Sequence, residues 1–170
     1  MHRRYLMIMG AAAVFSLSSA GEARPTISTQ AAPNVNFSAY RTYSWVPGTP
    51  PAGMNPVMYQ QIQSSIDSAL ASRGYQKAAA GDLTVALTLG AQNKTDVESW
   101  GRFGLQTSVY QYVVGQLSLD VFDTKTHQAL WHGQASDTVN PDKPNPAKVD
   151  QAIGKLMQQF PATAAAPSTP

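Results

Sequence analysis

The run Leu83-Thr84-Val85-Ala86-Leu87-Thr88-Leu89 alternates bulky apolar side chains with small or hydroxyl ones without a break. In a strand, successive side chains point to opposite faces, so Leu83, Val85, Leu87 and Leu89 lie together on one side. A strand of this kind is half-buried, and other elements must cover its apolar face. The chain therefore needs a sheet with one dry side, and apolar helices to lie on it.

Two segments meet that need. Asn55-Pro56 sets a capping side chain before a proline at the first helical position, where its missing N–H costs nothing. Met58, Ile62, Ile66, Ala69, Leu70 and Arg73 then recur at steps of three and four, and Gly74 stands where a left-handed cap closes a helix. Asn145-Pro146 repeats the start, followed by the stripe Val149, Ile153, Leu156, Met157 and Phe160, and Pro161 ends it. The flanking strands do not match, so the repeated cap is no sign of duplication.

The remaining strands follow from alternation and punctuation. Tyr40 to Val46 alternates and stops at Pro47-Gly48. Tyr110 to Phe122 and Ala129 to Val139 form a hairpin across the turn from Asp123 to Gln128. For Leu117, Leu119 and Val121 to share a face with Trp131, Gly133 and Ala135, paired residue numbers must sum to 252, with a three- or five-residue loop. Ala91 to Ser108 shows no period and is expected to be a long connection. The order β-α-β-β-β-α predicts an α+β fold: a mixed four-stranded sheet with both helices on one face. Within it, the first helix makes a right-handed parallel crossover.

The N-terminus reads as an export signal. His2, Arg3 and Arg4 precede an apolar run from Tyr5 to Leu17, and Ser18-Ser19-Ala20 and Gly21-Glu22-Ala23 both offer a cleavage site. That run is about thirteen residues, short of the roughly 20 that span a bilayer. The expected organisation is a signal peptide over 1–23, a flexible leader over 24–36, a single domain over 37–161 and a disordered tail over 162–170. The chain has no cysteine, which excludes disulfides and a thioether lipid anchor. Roughly 145 residues then hold together by core burial alone. Removing Arg3, Arg4 and Glu22 from twelve Lys+Arg and ten Asp+Glu leaves a net charge of +1. The basic residues are scattered, without the clustered face of a nucleic-acid binder.

Several blocks share the pattern of one family. These are Phe37 to Trp45, the helix end Arg73-Gly74-Tyr75, Asp82-Leu83-Thr84-Val85, and the hairpin from Gly115 to Asp123 and Ala129 to Ala135. Over Phe37 to about Pro161 the chain resembles the domain of unknown function 4136 family. The resemblance implies an exported envelope protein of bacteria with two membranes, often a predicted lipoprotein, and brings no established activity. This chain departs from that pattern at the lipid site, where Ser, Ala and Gly stand and no Cys.

Candidate sites are few. Asp120 and His132 face each other across the hairpin, half of a hydrolytic triad, with Ser118 and Ser136 nearby as hydroxyls. Neither serine sits in a strained turn such as G-x-S-x-G, so a solvated cross-strand pair is the favoured reading. His127 and His132 cannot share a metal at their spacing, and Asp96, Glu98 and Asp123 match no calcium loop. No metal or cofactor is expected. Trp100, Arg102, Phe103, Tyr110 and Tyr112 put aromatics and an arginine around a long loop, the composition of a contact surface. The opposing reading folds them over the open sheet face. Tyr40, Tyr43, Trp45 and Trp131 read as core, their polar ends needing partners.

The sequence thus predicts a non-enzymatic envelope module that is periplasmic or secreted. It would bind an envelope protein, a cell-wall component or a small ligand; the alternatives are a periplasmic hydrolase using Asp120 and His132, or an apolar ligand held between sheet and helices. N-terminal sequencing of the native protein should begin at Gly21 or Arg24 in the soluble envelope fraction; an intact N-terminus in the membrane fraction would contradict it.

Overall fold

The computed structural model describes residues 24–100, 106–140 and 142–163. In chain order the elements are β1 (Thr26–Ala31), a 3-10 turn (Phe37–Ala39), β2 (Thr42–Trp45), α1 (Pro56–Ser72), β3 (Gln76–Lys77), β4 (Leu83–Trp100), β5 (Gln106–Asp123), β6 (Ala129–Val139) and α2 (Pro146–Gln158). The strands form one mixed sheet in the order β1-β6-β5-β4-β2-β3. Pairing of β2 with β4 is parallel, as a crossover through α1 requires, whereas β4, β5 and β6 run antiparallel.

Both helices begin and end as their residues dictate. The Asn55 side chain accepts from the Val57 N–H at 2.8 Å, and the Asn145 side chain accepts from the Lys148 N–H at 3.3 Å. At the far end of α1, Gly74 adopts φ 90°, and Tyr75 and Gly74 donate to the carbonyls of Leu70 and Ala71, a Schellman closure. Ile62, Ile66 and Leu70 of α1 and Ile153, Leu156 and Met157 of α2 enter one core with Leu83, Val85, Leu117, Leu119, Val121, Trp131 and Ala135. Every one of these sheet residues is odd-numbered, so the two helices cover the same face.

The β5–β6 hairpin has the register that parity demands. Leu117 pairs with Ala135, Leu119 with Gly133 and Val121 with Trp131. An irregularity follows at Phe122, and the Asp123 carboxylate closes the turn by accepting from the Lys125 and Thr126 N–H groups, each at 2.8 Å. A Cβ on Gly133 would fall 2.0 Å from the Trp131 ring, so only glycine leaves the indole that space.

The sheet has six strands where four were expected, β1 and β3 being the additional two, and β4 and β5 are longer than expected. Residues 24–36, expected as a flexible leader, contain β1, which pairs with β6 from Thr26↔Ser136 to Ala31↔Trp131. Its residues are largely polar because it is an edge strand held by backbone bonds, so its apolar period is weak. The two-residue β3 extends the other edge beyond β2. Within Ala91 to Ser108, expected as a connection, residues 91–100 and 106–108 instead continue β4 and β5 as far as Trp100↔Gln106. There the ribbon is two-stranded and wet on both faces, so nothing demands alternation. Of the expected tail, Ala162 and Thr163 are described, and the Thr163 N–H donates to the Arg73 carbonyl at 3.0 Å. The expected signal peptide lies outside the described residues.

One carboxylate ties α1 to the sheet edge. Asp67 accepts from the Tyr43 hydroxyl at 2.7 Å, the Trp45 indole N–H at 2.8 Å and the Lys77 ammonium at 2.9 Å. Burial alone would raise its pKa, but these donors outweigh it and hold the carboxyl below its ordinary value. A depressed folded pKa gives stability that is fully present above the unfolded value, about pH 4, and is lost as pH falls through the folded value. Asp67→Asn should lower the unfolding free energy by about 1.5–3 kcal/mol at pH 7, measured by urea denaturation. The deficit should shrink in acid, and a variant as stable as the parent at pH 7 would contradict this.

Candidate ligand-binding groove

The helices are too short to cover the strands they lie on. At ~1.5 Å per residue the 17 residues of α1 span about 26 Å, whereas at ~3.3 Å per residue the 18 of β4 reach about 59 Å. Past the helix N-termini the odd-numbered face therefore continues without a roof. There an open groove of about 840 Å³ runs between the sheet and the starts of α1 and α2.

Its floor carries Leu89 and Ala91 of β4, Val113 of β5 and Val139 of β6. Met54 and Met58 form one wall, and Val149 and Ala152 of α2 form the other. Leu89, Val113, Met54, Met58 and Val149 are each half-buried, the condition of apolar side chains that adjoin a closed core and remain open to solvent. Gly115 lets Val139 lie across the floor, since a Cβ there would meet its methyl at 2.9 Å. Lys143 and Lys148 line it beside the start of α2, and among the described residues Asp137 is the one carboxylate on the lining. Such a cleft can hold an apolar chain while presenting cations to a polar end.

Of the residues predicted as a contact surface, Trp100, Tyr110 and Tyr112 fall on described strands. Trp100 ends β4 and its side chain lies outside the described residues, as do Arg102 and Phe103. Tyr110 and Tyr112 sit on β5 opposite Asp96 and Lys94, with Tyr110 exposed and Tyr112 half-buried. A hydrogen bond to Asp96 raises the Tyr112 pKa. Of these residues, Tyr112 borders the groove.

Asp120 and His132 meet as the register predicts, with Oδ1 and Nδ1 2.6 Å apart on the face away from the helices. Ser118 pairs with Gln134 and Ser136 with Gln116 in the β5–β6 ladder, while the neighbour of His132 on β1 is Gln30. The ladders thus put no hydroxyl directly across from the imidazole. Among the described residues no group of three or more His, Asp or Glu is placed to hold a metal. The predicted core aromatics are packed: Tyr43 and Trp131 are buried, and Tyr40 and Trp45 lie against the core. Tyr40 donates to Asp123 at 2.8 Å, so the polar ends find partners.

Sequence reasoning named an apolar site between sheet and helices but not its residues. The available signal was the excess length of the ribbon, masked by its polar composition.

The model of a domain of unknown function, DUF4136, matches residues 27–162. This chain belongs to the DUF4136 family. No curated protein matches it. Among solved structures it is similar to a DUF4136 family protein from Bacteroides thetaiotaomicron, at 13% identity and TM-score 0.57, covering 81% of this chain and 96% of that one. It is also similar to a PDZ domain protein from Parabacteroides distasonis, at 14% identity and TM-score 0.57, covering 82% of this chain but 37% of that one. At these identities the likeness shows the DUF4136 fold and nothing finer.

Proposed function

We propose that this DUF4136 chain is an exported, non-enzymatic envelope module that binds an amphiphile with an acyl or similar apolar chain and an anionic end. The groove carries this reading. Its half-buried floor and walls suit an apolar chain, and its two methionines adapt to varied shapes. Lys143 and Lys148 outnumber Asp137 on the lining, which favours an anionic end. The basic, apolar and small-residue order of residues 2–23 supports export. Among the described residues no helix is long and apolar enough to cross a membrane.

An anilinonaphthalene sulfonate probe, itself apolar and anionic, should brighten on binding the folded protein and be displaced by a long-chain fatty acid. Val113→Asp puts a charge on the groove floor and should weaken probe binding at least tenfold, about 1.4 kcal/mol, with the circular dichroism spectrum unchanged. Lys148→Glu should weaken the fatty acid more than an uncharged alcohol of the same chain length. Undiminished binding to a folded Val113→Asp variant would overturn the assignment.

A further inference from the structure

Strand β4 pairs with β5 along its whole length, but on its other edge β2 pairs only from Leu83 to Val85. The Val46 N–H donates to the Val85 carbonyl at 2.8 Å, so Val85 turns its backbone groups to that edge. The β4–β5 register is unbroken, and every odd-numbered residue of β4 does the same. From Leu87 to Ser99 no strand among the described residues pairs with this edge. Exposed edges recruit other strands, and proteins commonly guard them by shortness, proline or charge. The outer edge belonging to β1 is guarded, being 6 residues between Pro25 and Pro33. The β4 edge is long and has no proline, and of its three charged residues, Lys94, Asp96 and Glu98, the first two are of opposite sign on either side of Thr95, while a two-fold at Thr95 sets Glu98 against the neutral Gln92.

We propose that this edge pairs with β4 of a second copy, antiparallel about a two-fold axis through Thr95. Lys94 then faces Asp96 of the partner subunit, and Asp96 faces Lys94 of the partner subunit. Thr95, whose backbone groups point outward, exchanges two hydrogen bonds with Thr95 of the partner subunit. Moving the axis to Lys94 or Asp96 would set like charges directly opposite, which is destabilising. The spacing is thus self-complementary, and this selects a second copy over an unrelated strand. Neither Lys94 nor Asp96 belongs to an ion pair among the described residues, where the pairs are Lys77–Asp67 and His132–Asp120. Paired this way, the helix layers fall on one side of a continuous sheet. The two-stranded ribbon, a form only marginally stable alone in water, becomes the middle of a wider one.

Light scattering of the purified protein on a sizing column should give twice the chain mass. Lys94→Asp and Asp96→Lys should each shift it to the single-chain mass, and the two together should restore the dimer. Thr95→Pro removes an outward N–H that β5 does not use, so it should abolish dimerisation with the circular dichroism spectrum retained. A parent protein of single-chain mass would overturn the proposal. So would single charge variants that dimerise like the parent, a double variant that stays monomeric, or a dimer that survives Thr95→Pro.

Discussion

The unbroken ladder between β4 and β5 sets the form of the whole molecule. It keeps one register from Leu83↔Asp123 to Trp100↔Gln106 and so carries a single apolar face far beyond what two short helices can roof. Where the helices lie, that face is closed core; where they stop, it is the floor of the groove; beyond β6, it is a bare ribbon. One mismatch of lengths thus produces all three regions.

The roofed end is held rigidly. Phe160 packs edge-on to Trp131 at 5.0 Å between ring centres and to Phe37 at 5.8 Å, and lies against Tyr75 at 5.5 Å. These rings join β6, the turn before β2, the end of α1 and the end of α2. The chain leaving α2 is latched there as well, since Arg73 donates to the Phe160 carbonyl and the Tyr75 hydroxyl donates to that of Pro161. Burial pushes the Tyr75 hydroxyl up to about 12, so it stays a donor at ordinary pH. With Asp67 anchoring α1 to β2 and β3, both helices are fixed at one end of the sheet. Their N-terminal halves therefore make stable groove walls.

The elements that sequence reading predicted correctly are those whose burial leaves a period. Both helices and the core of β4, β5 and β6 must put apolar residues at fixed steps, and the parity of Leu119 against Gly133 settled the hairpin register. Burial leaves no such trace in β1 or in the outer ribbon. Thr26 to Ala31 is held by backbone pairing at an edge, and Lys94, Thr95 and Asp96 sit where water reaches both faces. The Asp120–His132 pair was visible in the pattern because it follows from the same parity. The groove was not, because it depends on a length difference between elements whose ends the pattern did not show.

In the proposed function, apolar ligand binds where the helices stop, next to a core that stays closed. Methyl-labelled methionine gives a direct test, because Met54 and Met58 line the groove whereas Met157 is buried in the core. Titration with a long-chain fatty acid should move the Met54 and Met58 methyl resonances saturably and leave that of Met157 in place. Unmoved Met54 and Met58 resonances, or a shift of Met157 equal to theirs, would contradict binding in the groove.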